Sequence, residues 1–170
     1  MSSRAIDNQL NAFISICALN DSKPNESVAL NIIFDNEETG SETVQGAESA
    51  FTKIIMQKIA EGLSLNDSAY KNMIPNSFIL SADNGHSVHP GYPEQHNPVV
   101  RTYLGKGVIL KRSASYNYTT NGITAAIVRK FAEKNNVKTQ ELYGKIGVIS
   151  GSTLAKHLSP TINICRFFGE

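Results

Sequence analysis

Apolar positions along the chain fall into short blocks, and the spacing inside each block separates helices from strands. Leu10, Phe13, Ile14, Cys17 and Ala18 recur at three- and four-residue intervals, the period of a helix with one face against a core. Asp7 or Asn8 stands where a cap would accept hydrogen bonds from the first free N–H groups. After a polar loop at 20–26, β-branched and aromatic residues dominate 28–34, which reads as a buried strand. A helix is expected from Gly46 through Phe51, Ile54, Ile55, Ile59 and Ala60 to Gly62, and a short one over 66–72. Pro75 marks the next break, because the residue before a proline is pushed out of helical geometry. Residues 77–82, 107–111 and 143–150 are the remaining strand candidates. Between the last two, 123–135 has the pattern of an amphipathic helix with Ile127, Val128 and Phe131 inward. Strands alternating with helices imply a sheet covered by helices on both faces, an α/β fold.

Composition narrows the class. A chain of 170 residues, 41% hydrophobic and 18% charged, suits one domain with a real core. A net charge of +1 offers no electrostatic case for nucleic acid or a membrane surface. No apolar run approaches the ~20 residues that span a bilayer, and the first residues lack the apolar segment of a secretory signal. Cys17 and Cys165 both stand in apolar contexts and are expected as buried free thiols in a reducing, cytoplasmic compartment.

The candidate chemistry sits at element ends. Asp35, Glu37 and Glu38, followed by Gly40, come directly after the 28–34 run; Asp83, His86 and His89 come directly after 77–82. In an open α/β sheet, ligands gather beyond the carboxyl ends of strands. Two adjacent glutamates there can divide labour, one holding a metal and the other accepting a proton. The plainer alternatives are an acidic turn at a helix N-terminus, a capping role for Asp7 and a pair of strand-end histidines. Oxygen ligands with histidine and no cysteine suit zinc or manganese. A carboxylate shared between two ions would build a two-metal site for hydrolysing an amide or a phosphoester. Serine catalysis lacks its Gly-x-Ser-x-Gly elbow, since 147–152 is only superficially similar. Gly105-Lys106-Gly107 does not make a phosphate-binding loop.

Four stretches in order carry a resemblance: Arg4-Ala5-Ile6-Asp7-Asn8, Phe34-Asp35-Asn36-Glu37-Glu38-Thr39-Gly40-Ser41, Ser81-Ala82-Asp83-Asn84-Gly85-His86-Ser87-Val88-His89-Pro90-Gly91-Tyr92, and Lys111 through Tyr118 to Asn121. Together they resemble the aspartyl aminopeptidase family, which includes vacuolar aminopeptidase I. The resemblance implies a three-layer α/β/α sandwich of the zinc-peptidase type with a mixed sheet. It implies two Zn2+ ions (with Mn2+ or Co2+ as substitutes) and removal of N-terminal Asp or Glu from peptides. By position Asp7 looks like the carboxylate bridging the metals, Glu37 like the general base, Glu38 like a ligand of one zinc and Asp83 like a ligand of the other. His86, Lys111 and Tyr118 look like substrate contacts. Lys111 also suits that role physically, because an acidic side chain in a dry pocket needs a cation, and the Tyr118 phenol can donate to a developing oxyanion. His89 and His96 receive no role, and His157 is expected at the surface. The complete protein is expected to be a homo-oligomer. The family's upstream metal-binding histidine, its dimerisation region and its late Met-His-Ser histidine have no counterpart in these 170 residues. The chain is therefore expected to be a portion of one catalytic domain, with weak metal affinity and little turnover by itself. A non-catalytic assembly or interaction module is the alternative, and a metallophosphoesterase a remote third.

Overall fold

A computed structural model of the chain describes residues 4–37, 39–114, 117–145 and 158, and the backbone of 163–168. Two helices begin where a polar side chain takes up free N–H groups. The Asn66 side chain accepts from Ala69 N at 2.8 Å and starts the short helix α3, Asp67–Met73. Asn121 accepts from Thr124 N at 2.9 Å while Asn121 N donates to Thr124 Oγ1 at 3.0 Å. That reciprocal cap starts α4, Gly122–Lys134. The other helices are α1, Ile6–Asp21, and α2, Phe51–Gly62. The second of these starts five residues later than expected, because successive turns consume residues 40–50: Thr43 N donates to Gly40 O, Gly46 N to Thr43 O and Ser49 N to Gly46 O.

Four strands form one mixed sheet: β1, Phe78–Ala82, β2, Val108–Arg112, β3, Thr139–Tyr143, and β4, Asn163–Phe168, in the order β1-β4-β2-β3. β1 and β4 run parallel from Phe78↔Asn163 to Ala82↔Phe167, and β2 and β3 run parallel from Val108↔Thr139 to Arg112↔Tyr143. β2 and β4 are antiparallel at Leu110↔Phe167. The sheet is centred on β2, whose consecutive residues Ile109, Leu110 and Lys111 are all buried. Successive strand side chains point to opposite faces, so both faces are covered there. Leu110 packs with Val128 of α4, and Met56, Ile74, Ile79 and Leu158 surround the pair.

Several expectations need correction. The 28–34 run is not a strand: Val28, Leu30 and Ile33 are exposed, and no described segment supplies a hydrogen-bonded ladder beside it. On α1 the expected apolar face is open, with Phe13 66% and Ile14 48% exposed. Asn11 is the buried residue of that helix. Cys17 is exposed too, so the buried-thiol expectation fails for it. Neither Asp7 nor Asn8 caps α1. Ala5 holds the N-cap position with no side-chain hydrogen bond, and Asp7 and Asn8 are themselves non-helical. On α4 the inward residues are Thr124, Ala125, Val128 and Ala132, whereas Phe131 is 59% exposed. β3 lies just before the predicted 143–150 strand. Gly144 and Lys145 are outside any strand, while 146–150 and His157 lie outside the described residues.

Candidate metal centre

Ala82, Phe167 and Leu110 lie in one row across the sheet. Asp83 follows Ala82 and Lys111 follows Leu110, so both emerge on the opposite face from that row. Lys111 Nζ lies 3.6 Å from Asp83 Oδ2 and donates to Asn84 O at 3.2 Å. It also stands 5.5 Å from the centroid of the Tyr118 ring. Lys111 and Tyr118 are both buried. An ammonium taken from water needs such partners, or its desolvation goes unanswered.

Asp7 reaches the same place from the non-helical head of α1. Its carboxyl is held above the ordinary carboxylate range, first by loss of hydration and then by repulsion from Asp83, a hydrogen bond to Asp83 and repulsion from Glu37; Lys111 partly offsets these. Two carboxyls close enough to share a proton form a site of excess negative charge.

Glu37 arrives on a tightly wound turn. Gly40 N donates to Asn36 O at 2.9 Å, and Gly40 has φ 154°, where a side chain is strained. Asn36 Nδ2 donates to Gln45 Oε1 at 2.9 Å, and a Cβ on Gly46 would lie 2.2 Å from Ser41 O. The acidic turn thus closes back on the segment leading into α2.

His86 is fixed through its backbone. The fully buried Thr102 donates its hydroxyl to His86 O at 2.6 Å and accepts from Val88 N at 2.9 Å. Farther along this loop His89 N donates to His96 Nε2 at 3.3 Å, and Gly91 N donates to His89 Nδ1 at 3.0 Å. Burial, and then His86, Arg101 and His89, push the His96 imidazole below its usual range. Thr102 and His96 were not legible as site supports, because nothing in their local spacing says which backbone atom they will reach.

The structure therefore brings Asp7, Glu37, Asp83, Lys111 and Tyr118 together, with His86 on the loop leaving β1. Glu38 lies outside the described residues. Among the described residues no three His, Cys, Asp or Glu side chains close on one point tightly enough to grip an ion. The crowded Asp7–Asp83 pair still fits a metal by its chemistry: it is an all-oxygen donor set whose mutual repulsion a divalent cation would relieve.

Residues 1–164 match the model of the aminopeptidase I zinc metalloprotease family, M18. The chain belongs to the M18 family. A probable M18 family aminopeptidase 2 of Borreliella burgdorferi is 38% identical over 130 residues, covering 76% of this M18 chain and 31% of the relative. An aspartyl aminopeptidase of Dictyostelium discoideum is 33% identical over 146 residues, covering 82% of this chain and 30% of its own. Among solved structures, the M18 aminopeptidase from Thermotoga maritima superposes with a TM-score of 0.82 at 28% identity, over 95% of this chain and 38% of the other. The chain thus spans about a third of the relatives it matches. The α/β class with a mixed sheet stands, in agreement with that neighbour.

Proposed function

We propose that this chain carries the carboxylate and acid-binding half of a metallo-aminopeptidase site that removes N-terminal Asp or Glu from peptides. The observation that carries the reading is the convergence of Asp7, Asp83 and Glu37 beside a buried lysine. Asp7, Asp83 and Glu38 would hold the zinc. Bound zinc would supply an acidified water and a polarised scissile carbonyl. Glu37 takes the proton of the attacking water on its carboxylate and returns it to the leaving amine. Lys111 binds the substrate's acidic side chain, and burial strengthens that contact by excluding water. Tyr118 donates its phenol hydrogen to the oxygen where negative charge develops, and His86 bounds the substrate on the loop side. Assembly of the complete protein into a homo-oligomer is part of this proposal, supported by exposed Phe13, Ile14, Ile16 and Leu19 on α1.

The test is zinc titration of the purified protein, followed by assay of an N-terminal aspartyl amide against a leucyl amide. Zinc binding with a preference for the aspartyl substrate is expected. Glu37→Gln should lower turnover by about 10²–10⁴-fold while leaving zinc affinity within about twofold. A preference for the leucyl amide would overturn the substrate class, and loss of zinc binding in Glu37→Gln would overturn the division of labour. A second reading, a non-catalytic assembly module, is favoured by the lack of a closed ligand cluster among the described residues. Failure of the wild-type protein to bind zinc would decide for it.

A further inference from the structure

The two segments that carry Asp7 and Asp83 are 76 residues apart in sequence, and beside the carboxyls a part-buried hydrogen bond between neutral side chains also ties them together. Asn11 Nδ2 donates to Asn84 Oδ1 at 2.6 Å. Asn11 follows Asp7 by four residues, across the non-helical head of α1, and Asn84 follows Asp83 directly. Asn11 is only 4% exposed, and it is the buried side chain of α1. Elsewhere on that helix Phe13, Ile14, Ile16 and Leu19 are exposed. Asp7 cannot be positioned by the helix ladder either, because its own backbone is non-helical. On the other side of the bond, the Asn84 carbonyl receives the Lys111 ammonium. Asn84 therefore joins the head of α1 to both the carboxylate pair and the buried lysine.

We infer that the Asn11–Asn84 hydrogen bond is a strut that sets the spacing of Asp7 and Asp83, and that Asn11 is a positioning residue for the metal centre. The inference rests on the metal-site reading above. Two like charges left to themselves move apart; a short, part-buried bond four residues along the chain opposes that spreading. The strut keeps the pair at a separation that one cation can span, so its loss lowers metal affinity without removing a ligand.

Zinc affinity measured by competition with a chromophoric chelator at neutral pH tests this in the full chain. Asn11→Leu, of similar size but unable to donate, is expected to bind zinc about tenfold more weakly, equivalent to about 1.4 kcal/mol, with its helical circular dichroism retained. Asn11→Asp is expected to restore affinity, because the Asn84 amide can turn and donate to the new carboxylate. In an Asn84→Leu background the same Asn11→Asp change is expected to give no rescue, which separates the strut from the added negative charge. Should Asn11→Leu fail to fold, Asn84→Leu removes the same bond from a less buried position. Wild-type protein that binds no zinc would overturn the metal reading and the strut with it. Wild-type binding matched within twofold by a folded leucine variant would overturn the strut alone, as would an Asn11→Asp protein as weak as Asn11→Leu.

Discussion

A lysine inside a sheet must have its charge answered, and Lys111 is answered three ways: by the Asp83 carboxylate, the Asn84 carbonyl and the Tyr118 ring. Its place in β2 leaves it little freedom to do anything but serve this spot. Lys111→Met, which keeps the aliphatic stem and removes the charge, should lower kcat/KM on an aspartyl substrate by about 10²-fold, within the roughly 2–5 kcal/mol that truncating a buried charge pair costs. A leucyl substrate should be little affected, and comparing the two in one assay separates recognition from general damage. At this scale the resemblance of four ordered stretches to the aspartyl aminopeptidase family pointed to Asp7, Glu37, Asp83, Lys111 and Tyr118, and of these Asp83 alone directly follows a strand. What could not be named was Asn11, whose function is a bond to a residue 73 positions away. An asparagine in the fourth position after an aspartate carries no signal of that kind.

At the scale of elements, the loop between β1 and β2 is held by its own side chains. His96 accepts a backbone hydrogen bond from His89 and sits among His86, Arg101 and His89. Its imidazole is depressed below the ordinary value of 6.5, so the unfolded chain takes up the proton first as pH falls. The contribution of His96 to stability is then fully present above about pH 6.5 and is lost as pH drops through the lowered folded value. His96→Gln, which can still accept through its amide oxygen, should flatten the fall of melting temperature between about pH 6.5 and 5. Thermal melts of both proteins in a buffer series check this, and superimposable pH profiles would refute it. Helix and strand identity followed from periodicity wherever a cap or a buried partner was at hand, as with α3, α4, β1 and β2. It failed where the partner decides the matter. Residues 28–34 have strand composition but no ladder among the described residues, and Thr139–Tyr143 has a largely polar composition yet pairs along β2. On α4 the helical period was right and Val128 is inward as expected, but small residues, not Ile127 and Phe131, complete the face toward the sheet.

For the molecule as a whole, the core is narrow. Among the described residues, Leu110 is fully buried and clusters with Val128, with Met56, Ile74, Ile79 and Leu158 packed around the pair. Leu110→Ala should therefore destabilise the fold by about 2–5 kcal/mol, measured by urea denaturation, whereas a loss under about 1 kcal/mol would mean the core lies elsewhere. The α/β class was legible from the alternation of elements, but strand order was not, because no local pattern records which strand will sit beside which. That order has a consequence in time. β1 takes its neighbour from residues 85 positions farther along, at Phe78↔Asn163, and the same late strand links β1 to β2. Contacts so distant in sequence make folding slow, since loop closure must precede any reward from pairing. Among the described strands, the two halves of the sheet are joined only once residues 163–168 have emerged during synthesis. Until then the inner sides of β1 and β2 stand as open edges in a growing chain, the stage at which such a protein is most exposed to aggregation.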